Sequence, residues 1–238
     1  MRIIALIFIP IVLLFCCALI MLWAPLPGPF PEPLSKGRNL TAAILTGLLG
    51  MGYIVGLTVY VVTSALRTGH VLDGWAAAHD LTAQNYMIFG RRYRGALDGR
   101  AVTIEFVPAR VPGPPLLDVY LETSAPARAA IGRQQPLLDC RQCPRVPADD
   151  PALAGVGIWS DDETFARRLL ADASGKDALI DIMAQGGAGF RELYIQPERL
   201  WLRAHPRQLN DEIFQLWFDA LTTLSQSIER KAHLGSNQ

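Results

Sequence analysis

Two cysteines at CxxC spacing, Cys140 and Cys143, are the residues whose types and spacing most directly suggest chemistry. Such a pair can supply half of a zinc site, act as a thiol redox centre, or close a local disulfide. A structural zinc site needs two further ligands, and His205 lies too far along the chain to complete a recognisable pattern. A thioredoxin-like pair opens a helix, whereas Pro144 follows this one directly. The pattern favours a loop with two unmodified thiols, and zinc, redox and disulfide chemistry are the alternatives.

The other polar clusters are typical of structural roles. His79-Asp80 matches an adjacent pair that some metal-dependent phosphohydrolases use, but it stands alone, and we interpret His79 as a solvated helix residue. The acidic triplet 161–163 follows Ser160 in a capping-box pattern. No GxSxG, HExxH or Walker motif occurs. We therefore expect no catalytic residue and no cofactor, and we favour a role other than that of an enzyme.

Arginines gather around the first predicted hairpin of the soluble part, at Arg91, Arg92, Arg94 and Arg100. A cation near an anionic membrane surface contributes about 1 kcal/mol to binding. Charged residues on an exposed strand also prevent unwanted pairing with other chains. We interpret Arg91, Arg92 and Arg94 as candidates for membrane-surface contact, and the charged strand edge is the favoured alternative.

Two long apolar runs precede these candidates and must position them. Residues 3–23 and 40–66 are each long enough to cross a hydrocarbon core, and neither run contains a charged residue. A proline-rich loop, 24–39, joins them and is too short to hold a domain. Because the first run is longer than a signal-peptide core and lacks an A-x-A cleavage motif, we predict that it is retained. The sequence predicts a two-span transmembrane hairpin over 1–67, and hence a cell-membrane protein in contact with the lipid bilayer.

Glycines in the second predicted span form a helix-packing motif. Gly52 and Gly56 have the G-x-x-x-G spacing that lets two helix backbones approach closely. The first span of the same chain is the favoured partner, and a second protomer or another membrane subunit is the alternative. Since neither span holds an Asp, Glu, Lys, Arg or His residue, the hairpin suits an anchor better than a conduit.

The net charge indicates the class of partner, and the positions of the basic residues indicate which side of the membrane the termini occupy. The 238-residue chain has 22 Lys+Arg and 22 Asp+Glu, a balance that argues against a nucleic-acid partner. Arg2 and Arg67 flank the hairpin on one side, whereas Lys36 and Arg38 lie in the loop on the other. An unmodified CxxC is compatible with a reducing compartment. We expect the soluble domain on the cytoplasmic side.

Alternating apolar residues predict strands in the first half of the remaining domain, 68–238. Strands over 85–93 and 101–109 flank the turn dipeptide Asp98-Gly99 and form a hairpin, and a third strand covers 115–122. In the second and third strands apolar residues recur at every second position, which predicts one buried face made of Val102, Ile104, Phe106, Leu117, Val119 and Leu121.

Helix-start signals dominate the second half of the domain. Ser160, Ser174 and Asn210 each precede a helical pattern, and the last of these opens a long amphipathic helix. A hairpin turns at Pro197 between two apolar strands. This order predicts an α+β domain with an antiparallel sheet and about three to four helices.

Three segments carry a resemblance to a known group of proteins. They are a Y-R-G-x-L-D-G-R hairpin at 93–100, an S-D-D-x-x-F-A-R-R-L-L segment at 160–170 and an L-Y-I…L-W-L hairpin at 193–202. With two amino-terminal helices before them, they resemble uncharacterised bacterial membrane proteins in which a domain of unknown function follows a helical anchor. The resemblance concerns layout and implies no activity, cofactor or site residue.

Two classes of function follow from these observations. The favoured hypothesis is a non-catalytic, membrane-anchored interaction or accessory module that docks a protein partner or a second copy of the chain. Its motivation is the anchor, the balanced charge and the lack of converging polar residues. The alternative is a membrane-tethered enzyme, working either by thiol redox chemistry through Cys140 and Cys143 or as a hydrolase.

Overall fold

The computed structural model describes residues 32–108, 114–136, 140–148, 150–153, 155–186 and 189–235. Contacts between Cα atoms divide the chain into two compact units, Met1–Ser64 and Ala65–Gln238. Over its described residues, the second unit combines four complete helices with a large antiparallel sheet. The α+β class predicted from the sequence is therefore confirmed.

Helix α1, Glu32–Gly69, begins earlier than the sequence predicts. The predicted loop 24–39 is wrong in its last part, because the chain is already helical from Glu32. Proline is tolerated in the first turn of a helix, where N–H groups have no intrahelical acceptor, so Pro33 does not delay the start. The predicted first span, 3–23, lies outside the described residues.

Within the described residues, one helix is long and apolar enough to cross a membrane. The candidate span, Gly50–Ala78, has a mean hydropathy of 1.2, and its most apolar stretch is 6% buried. It comprises the end of α1 as far as Gly69 and continues through the short helix Asp73–Ala78. Large apolar side chains of α1 such as Leu48, Met51 and Ile54 are exposed. By length and composition this is one candidate span, and the two-span hairpin stays a prediction.

The elements of the second unit follow in chain order. Its helices are α2 (Asp73–Ala78), α3 (Glu163–Ala171), α4 (Ala173–Gly186) and α5 (Asp211–Gly235), with a 3-10 turn at Pro151–Leu153. Its strands are β1 (Thr82–Tyr86), β2 (Gly90–Leu97), β3 (Arg100–Val107), β4 (Leu116–Glu122), β5 (Ala129–Gly132), β6 (Arg145–Val146), β7 (Gly157–Ser160), β8 (Phe190–Gln196) and β9 (Arg199–Ala204).

These strands form one antiparallel sheet in the order β1-β2-β3-β4-β9-β8-β5-β7-β6. The predicted hairpin at Asp98-Gly99 is confirmed, since the two residues connect β2 to β3 with φ angles of 52° and 78°. Positive φ at both central residues is what a two-residue type I′ turn requires. The hairpin at Pro197 is likewise confirmed as the β8–β9 connection.

One face of the sheet packs against helices and forms the main core. The predicted buried residues of β3 and β4 all belong to it, as does the apolar stripe of α5. They are Val102, Ile104, Phe106, Leu117, Val119, Leu121, Phe214, Trp217, Leu221, Leu224 and Ile228. The opposite face carries a second small buried cluster to which no residue of α2–α5 belongs.

The predicted strand 85–93 is wrong as a single element. β1 ends at Tyr86 and β2 begins at its cross-strand partner Gly90, with Met87, Ile88 and Phe89 as the turn. An apolar turn lacks the Gly, Pro, Asn, Asp and Ser residues by which turns are recognised. The apolar run 86–89 therefore predicts a strand through the turn.

Helix caps agree with the sequence in one case and differ in another. Asn210 caps α5, since its Oδ1 accepts from the Ile213 N–H at 2.8 Å. The predicted capping role of Ser160 is wrong, because Asp162 accepts from the Phe165 N–H at 3.0 Å and Ser160 ends β7 instead. Serine and aspartate are both good N-cap residues, but Ser160 is already part of β7, so Asp162 takes the capping position.

Candidate functional site

Three aromatic side chains stand in a row on the sheet face opposite the main core. Tyr120 of β4, Trp201 of β9 and Tyr194 of β8 are direct cross-strand partners. Their stacked rings have centroids 5.5 Å apart for Tyr120 and Trp201, and 4.9 Å apart for Trp201 and Tyr194. Trp201 and Tyr194 are buried, whereas Tyr120 is half-buried. Tyr120 is therefore the more exposed end of the row, and the Arg199 guanidinium lies over its ring, 5.6 Å from the centroid.

Charged side chains run beside the aromatic row on the same face. Arg92 pairs with Glu105 across β2 and β3 at 2.7 Å, and Arg203 Nε donates to Asp118 Oδ1 at 2.9 Å. Asp118 is only 4% exposed and also accepts from Trp201 Nε1 at 3.0 Å. A buried carboxylate is tolerated when it is both neutralised and hydrogen-bonded, as Asp118 is. The Arg203 guanidinium further lies over the Trp201 ring, 4.6 Å from its centroid.

An open groove of about 980 Å³ lies at the Tyr120 end of the row. Tyr120, Trp201 and Thr103 line it together with the turn residues at one end of the sheet. Its charged lining residues are Glu105, Glu122, Glu198, Glu229, Arg100 and Arg199. Glu105 and Glu229 are paired with Arg92 and Arg100, so Glu122 and Glu198 against Arg199 leave the groove slightly acidic. An acidic, aromatic-lined surface suits a cationic group, which can pair with carboxylates and rest on a ring.

Arg100 ties one wall of the groove to α5. Its guanidinium donates to both carboxylate oxygens of Glu229, at 2.9 and 2.7 Å, and to the hydroxyl of Ser225. Ser225, which is buried, donates to Thr123 Oγ1 at 2.8 Å. A bidentate pair of this kind fixes geometry as well as adding energy. Arg100 thus positions the wall of the groove.

The Tyr120 phenol gives the site a testable pH dependence. Burial, then the carboxylates of Asp118 and Glu105, raises the pKa of Tyr120 to about 12. A raised folded-state pKa means full stability below the ordinary tyrosine pKa of about 10, and a loss as pH rises from there through the folded-state pKa. We expect Tyr120→Phe to lose less stability than the unsubstituted chain over this range, measured by urea unfolding in detergent.

Tyr60→Phe, on α1, is the matched control for Tyr120→Phe. Burial also raises the pKa of Tyr93, so some alkaline sensitivity should persist in every variant. An identical alkaline loss in Tyr120→Phe and in the unsubstituted chain would contradict the assignment.

Cys140 and Cys143 form a disulfide, so the favoured interpretation as two unmodified thiols is wrong and one of the alternatives applies. Cys140 is buried in the small cluster with Ala130, Tyr194 and Trp201. The buried Cys140 sulfur lacks the solvent access of an exchange-active thiol, whereas Cys143 is half-buried. The bridge therefore fastens its loop against the aromatic row. Among the described residues, no group of three His, Cys, Asp or Glu side chains could hold a metal ion.

The arginines predicted at a membrane surface are divided between the two faces of β2. Arg91 lies on the same face as buried Tyr93 and pairs with Asp73 at 3.3 Å. Arg92 and Arg94 lie on the opposite face, because side chains alternate along a strand. Arg92 is engaged by Glu105, and Arg94 is exposed. The structure therefore brings two of the three together.

His79, considered for metal-dependent hydrolysis, and His205, considered as a zinc ligand, make structural contacts. His79 stacks on Trp75 with ring centroids 4.1 Å apart, and its Nδ1 lies 2.7 Å from the Trp75 carbonyl oxygen. His205 Nδ1 lies 2.7 Å from the carbonyl oxygen of Pro115. Neither lines the groove or contacts the disulfide. A hydrolytic site built on His79 has no converging partner among the described residues.

The helix-packing glycines lie on the described part of α1. A Cβ placed on Gly52 or Gly56 would meet no atom of the described chain within 4 Å. Close approach by another helix is sterically open at this position. Packing through the G-x-x-x-G motif stays a prediction, since the first predicted span lies outside the described residues.

Sequence reasoning missed the aromatic row and the Asp118–Arg203 pair. The alternation that buries Val119 and Leu202 places Tyr120, Trp201 and Arg203 on the opposite face. Large aromatic residues at positions expected to face water were the available signal. The sequence does not reveal that β4 pairs with β9, because these two strands are far apart in the chain.

Comparisons with known proteins bear on the fold. No protein-family model matches the sequence, and none of the curated proteins matches it. Among solved structures, the chain is similar to the crystal structure of the mycobacterial trehalose monomycolate transport factor A, TtfA, with a TM-score of 0.50 and 11% identity. The similarity covers 67% of this chain and 93% of the other. At this identity it shows a shared fold alone.

Proposed function

We propose that the chain is a membrane-anchored, non-catalytic accessory protein whose α+β domain binds a protein partner in the groove beside Tyr120. The observation that carries this proposal is the groove, an acidic concavity of about 980 Å³ lined by two stacked aromatic residues. Aromatic residues are enriched where proteins bind proteins, and the excess of carboxylates calls for a basic segment on the partner. The nearby disulfide and the Arg100–Glu229 pair give this surface a rigid frame.

The membrane part of the proposal is supported by α1. Its exposed apolar side chains and its length suit a bilayer-crossing helix. Together with the predicted span 3–23, it would form a two-span anchor in the cell membrane. Gly52 and Gly56 then offer a packing surface to that first span or to a second protomer.

The similar crystal structure is that of a transport factor, which fits an accessory role for this chain. A shared fold does not transfer a ligand, so the proposed role includes no trehalose monomycolate. Support for the enzymatic alternative is weaker. The Cys140–Cys143 pair is bridged with Cys140 buried, and His79 is held against Trp75.

One argument for placing the soluble domain on the cytoplasmic side does not hold. That expectation used an unmodified CxxC, whereas Cys140 and Cys143 are bridged. Disulfides persist mainly in oxidising compartments and are rare in the cytosol. The proposed partner is therefore not restricted to a cytoplasmic protein.

Site-specific crosslinking tests the proposed docking groove. We expect a photo-crosslinking residue at Thr103, in the groove, to trap a defined adduct when the full-length chain is expressed at its native level. The same residue at Arg168, exposed on α3, should trap none. Repeated recovery of the bare protomer, or one adduct formed equally at both positions, would count against the proposal.

Charge reversal makes the same test specific for a basic partner. Glu198→Lys should reduce the Thr103 adduct by roughly tenfold, the effect of about 1.4 kcal/mol of lost attraction and added repulsion. Glu212→Lys is the matched control, because Glu212 is exposed and lies outside the groove. Equal losses in the two variants would remove the argument from charge complementarity.

A further inference from the structure

The turn between β1 and β2 is apolar and exposed. Met87 is 60% and Ile88 is 84% exposed, and we call these two residues the apolar tip. Turns commonly hold Gly, Pro, Asn, Asp or Ser, which suit their backbone angles. Met87 instead occupies the left-handed region with a φ of 55°, where a long side chain is disfavoured. Neither turn geometry nor the core accounts for two large apolar side chains facing water.

The apolar tip lies where the chain leaves α1. A Cβ placed on Gly69, the last residue of α1, would be 2.6 Å from the Phe89 carbonyl oxygen in this turn. Gly69 and Phe89 belong to the same compact unit. Leu66, the last residue of the predicted span, precedes Gly69 by about 4.5 Å of helix rise. The turn is therefore beside the segment that emerges from the predicted span.

Polar contacts hold this segment against the β1–β2 hairpin. Arg91 Nη2 lies 3.0 Å from His70 Nδ1 and 3.3 Å from Asp73 Oδ2, while Arg91 Nη1 donates to Asn85 Oδ1 at 2.7 Å. The buried Tyr93 hydroxyl donates to Asp73 Oδ1 at 2.8 Å. These contacts join the residues just after α1 to both strands of the hairpin. The apolar tip is thus fixed close to the end of α1.

We propose that Met87 and Ile88 insert into the interfacial region of the lipid bilayer beside the end of α1. The inference rests on the proposed membrane anchoring and adds a second, separate membrane contact to the domain. Apolar side chains next to cations are typical of segments that enter the headgroup boundary, and exposed Arg67 lies in the last turn of α1. The partner of this surface is the bilayer, and the contact is made by the apolar tip in place of the predicted arginine patch.

A fluorescent probe on the full-length chain in phosphatidylcholine vesicles tests the contact. Cys16 and Cys17 are replaced by serine, the disulfide is left intact, and an environment-sensitive fluorophore is attached at Ile88→Cys. Glu198→Cys is the matched control, in the β8–β9 turn at the opposite end of the sheet. We expect a blue shift and quenching by doxyl-labelled lipid at position 88, and quenching by aqueous iodide at position 198. Iodide quenching of equal strength at both positions overturns the proposal.

Flotation of the same vesicles separates failure of this contact from failure of the anchor. A chain that floats while its probe at position 88 behaves as at position 198 overturns the tip contact and leaves the anchor standing. A chain that does not float overturns both. Photoactivated diazirine lipid supplies a second readout on the chain without the Ile88 substitution. Adducts on the peptide containing Met87 and Ile88 support insertion, and adducts confined to other peptides contradict it.

Discussion

Asp118→Ala is expected to lower the free energy of unfolding by about 3 kcal/mol, because it removes the acceptor on which a buried group of donors depends. Asp118 is 4% exposed and accepts from Trp201 Nε1 at 3.0 Å and from Arg203 Nε at 2.9 Å. Without the carboxylate, the indole N–H has no partner and the guanidinium loses its counter-ion. The Arg203 side chain is 31% exposed, so water recovers part of the loss, and we take the lower end of the range for buried pairs.

Urea unfolding of the full-length chain in detergent measures this effect. Glu163→Ala is the matched control, since Glu163 pairs with Arg167 at 2.7 Å on the exposed surface of α3. An exposed pair contributes less than about 1 kcal/mol. Asp118→Asn keeps one acceptor oxygen and should lie between the two. Comparable small losses for Asp118→Ala and Glu163→Ala would show that Asp118 is not the centre of a coupled group.

A double-substitution cycle shows whether the ion pair acts with the aromatic row. Asp118→Ala and Arg203→Met, combined, should cost less than the sum of the separate losses, because each alone strands the other charge. The indole of Trp201 receives both the hydrogen bond of Asp118 and the guanidinium face of Arg203. A groove lined by Trp201 thus depends on the ion pair for its shape.

Residue alternation allowed the core to be predicted from the sequence. Val102, Ile104 and Phe106 recur every second position in β3, and all three are buried. The helical spacing of Phe214 and Leu221 predicts the buried face of α5 in the same way. These patterns work because burial is decided locally, by the period of the element.

The candidate site could not be predicted in the same way, because it depends on strand order. Tyr120 and Trp201 become neighbours only when β4 pairs with β9. Nothing local in either strand specifies that pairing. The CxxC favoured two unmodified thiols, because whether Cys140 and Cys143 are bridged depends on spatial approach and redox compartment, which the sequence does not show. Residues capable of chemistry could therefore be recognised in the sequence, but which of them lie together in the fold could not.

Gly90→Ala is expected to destabilise the domain by roughly 2–3 kcal/mol, through steric conflict at the start of β2. A Cβ at this position would be 2.6 Å from the Tyr86 carbonyl oxygen and 2.8 Å from the Phe106 carbonyl oxygen. Both atoms belong to the neighbouring strands, so relief requires β1 or β3 to move. The added methyl group also restricts the unfolded chain, but that gain is only about 0.4–1 kcal/mol.

Gly95→Ala, on the same strand, is the matched control for Gly90→Ala. Its Cβ would approach Leu81 Cδ2 at 2.6 Å, the flexible end of a side chain that can turn away. We expect a change of less than about 1 kcal/mol for this variant. Urea unfolding measures both, and amide hydrogen exchange should show faster opening of β1 in Gly90→Ala alone. If Gly90→Ala were as stable as Gly95→Ala, the tight approach at Gly90 would not be what ends the turn. Close packing at Gly90 would then not fix the backbone of the apolar tip. The position of the tip beside α1 would depend on the contacts of Arg91.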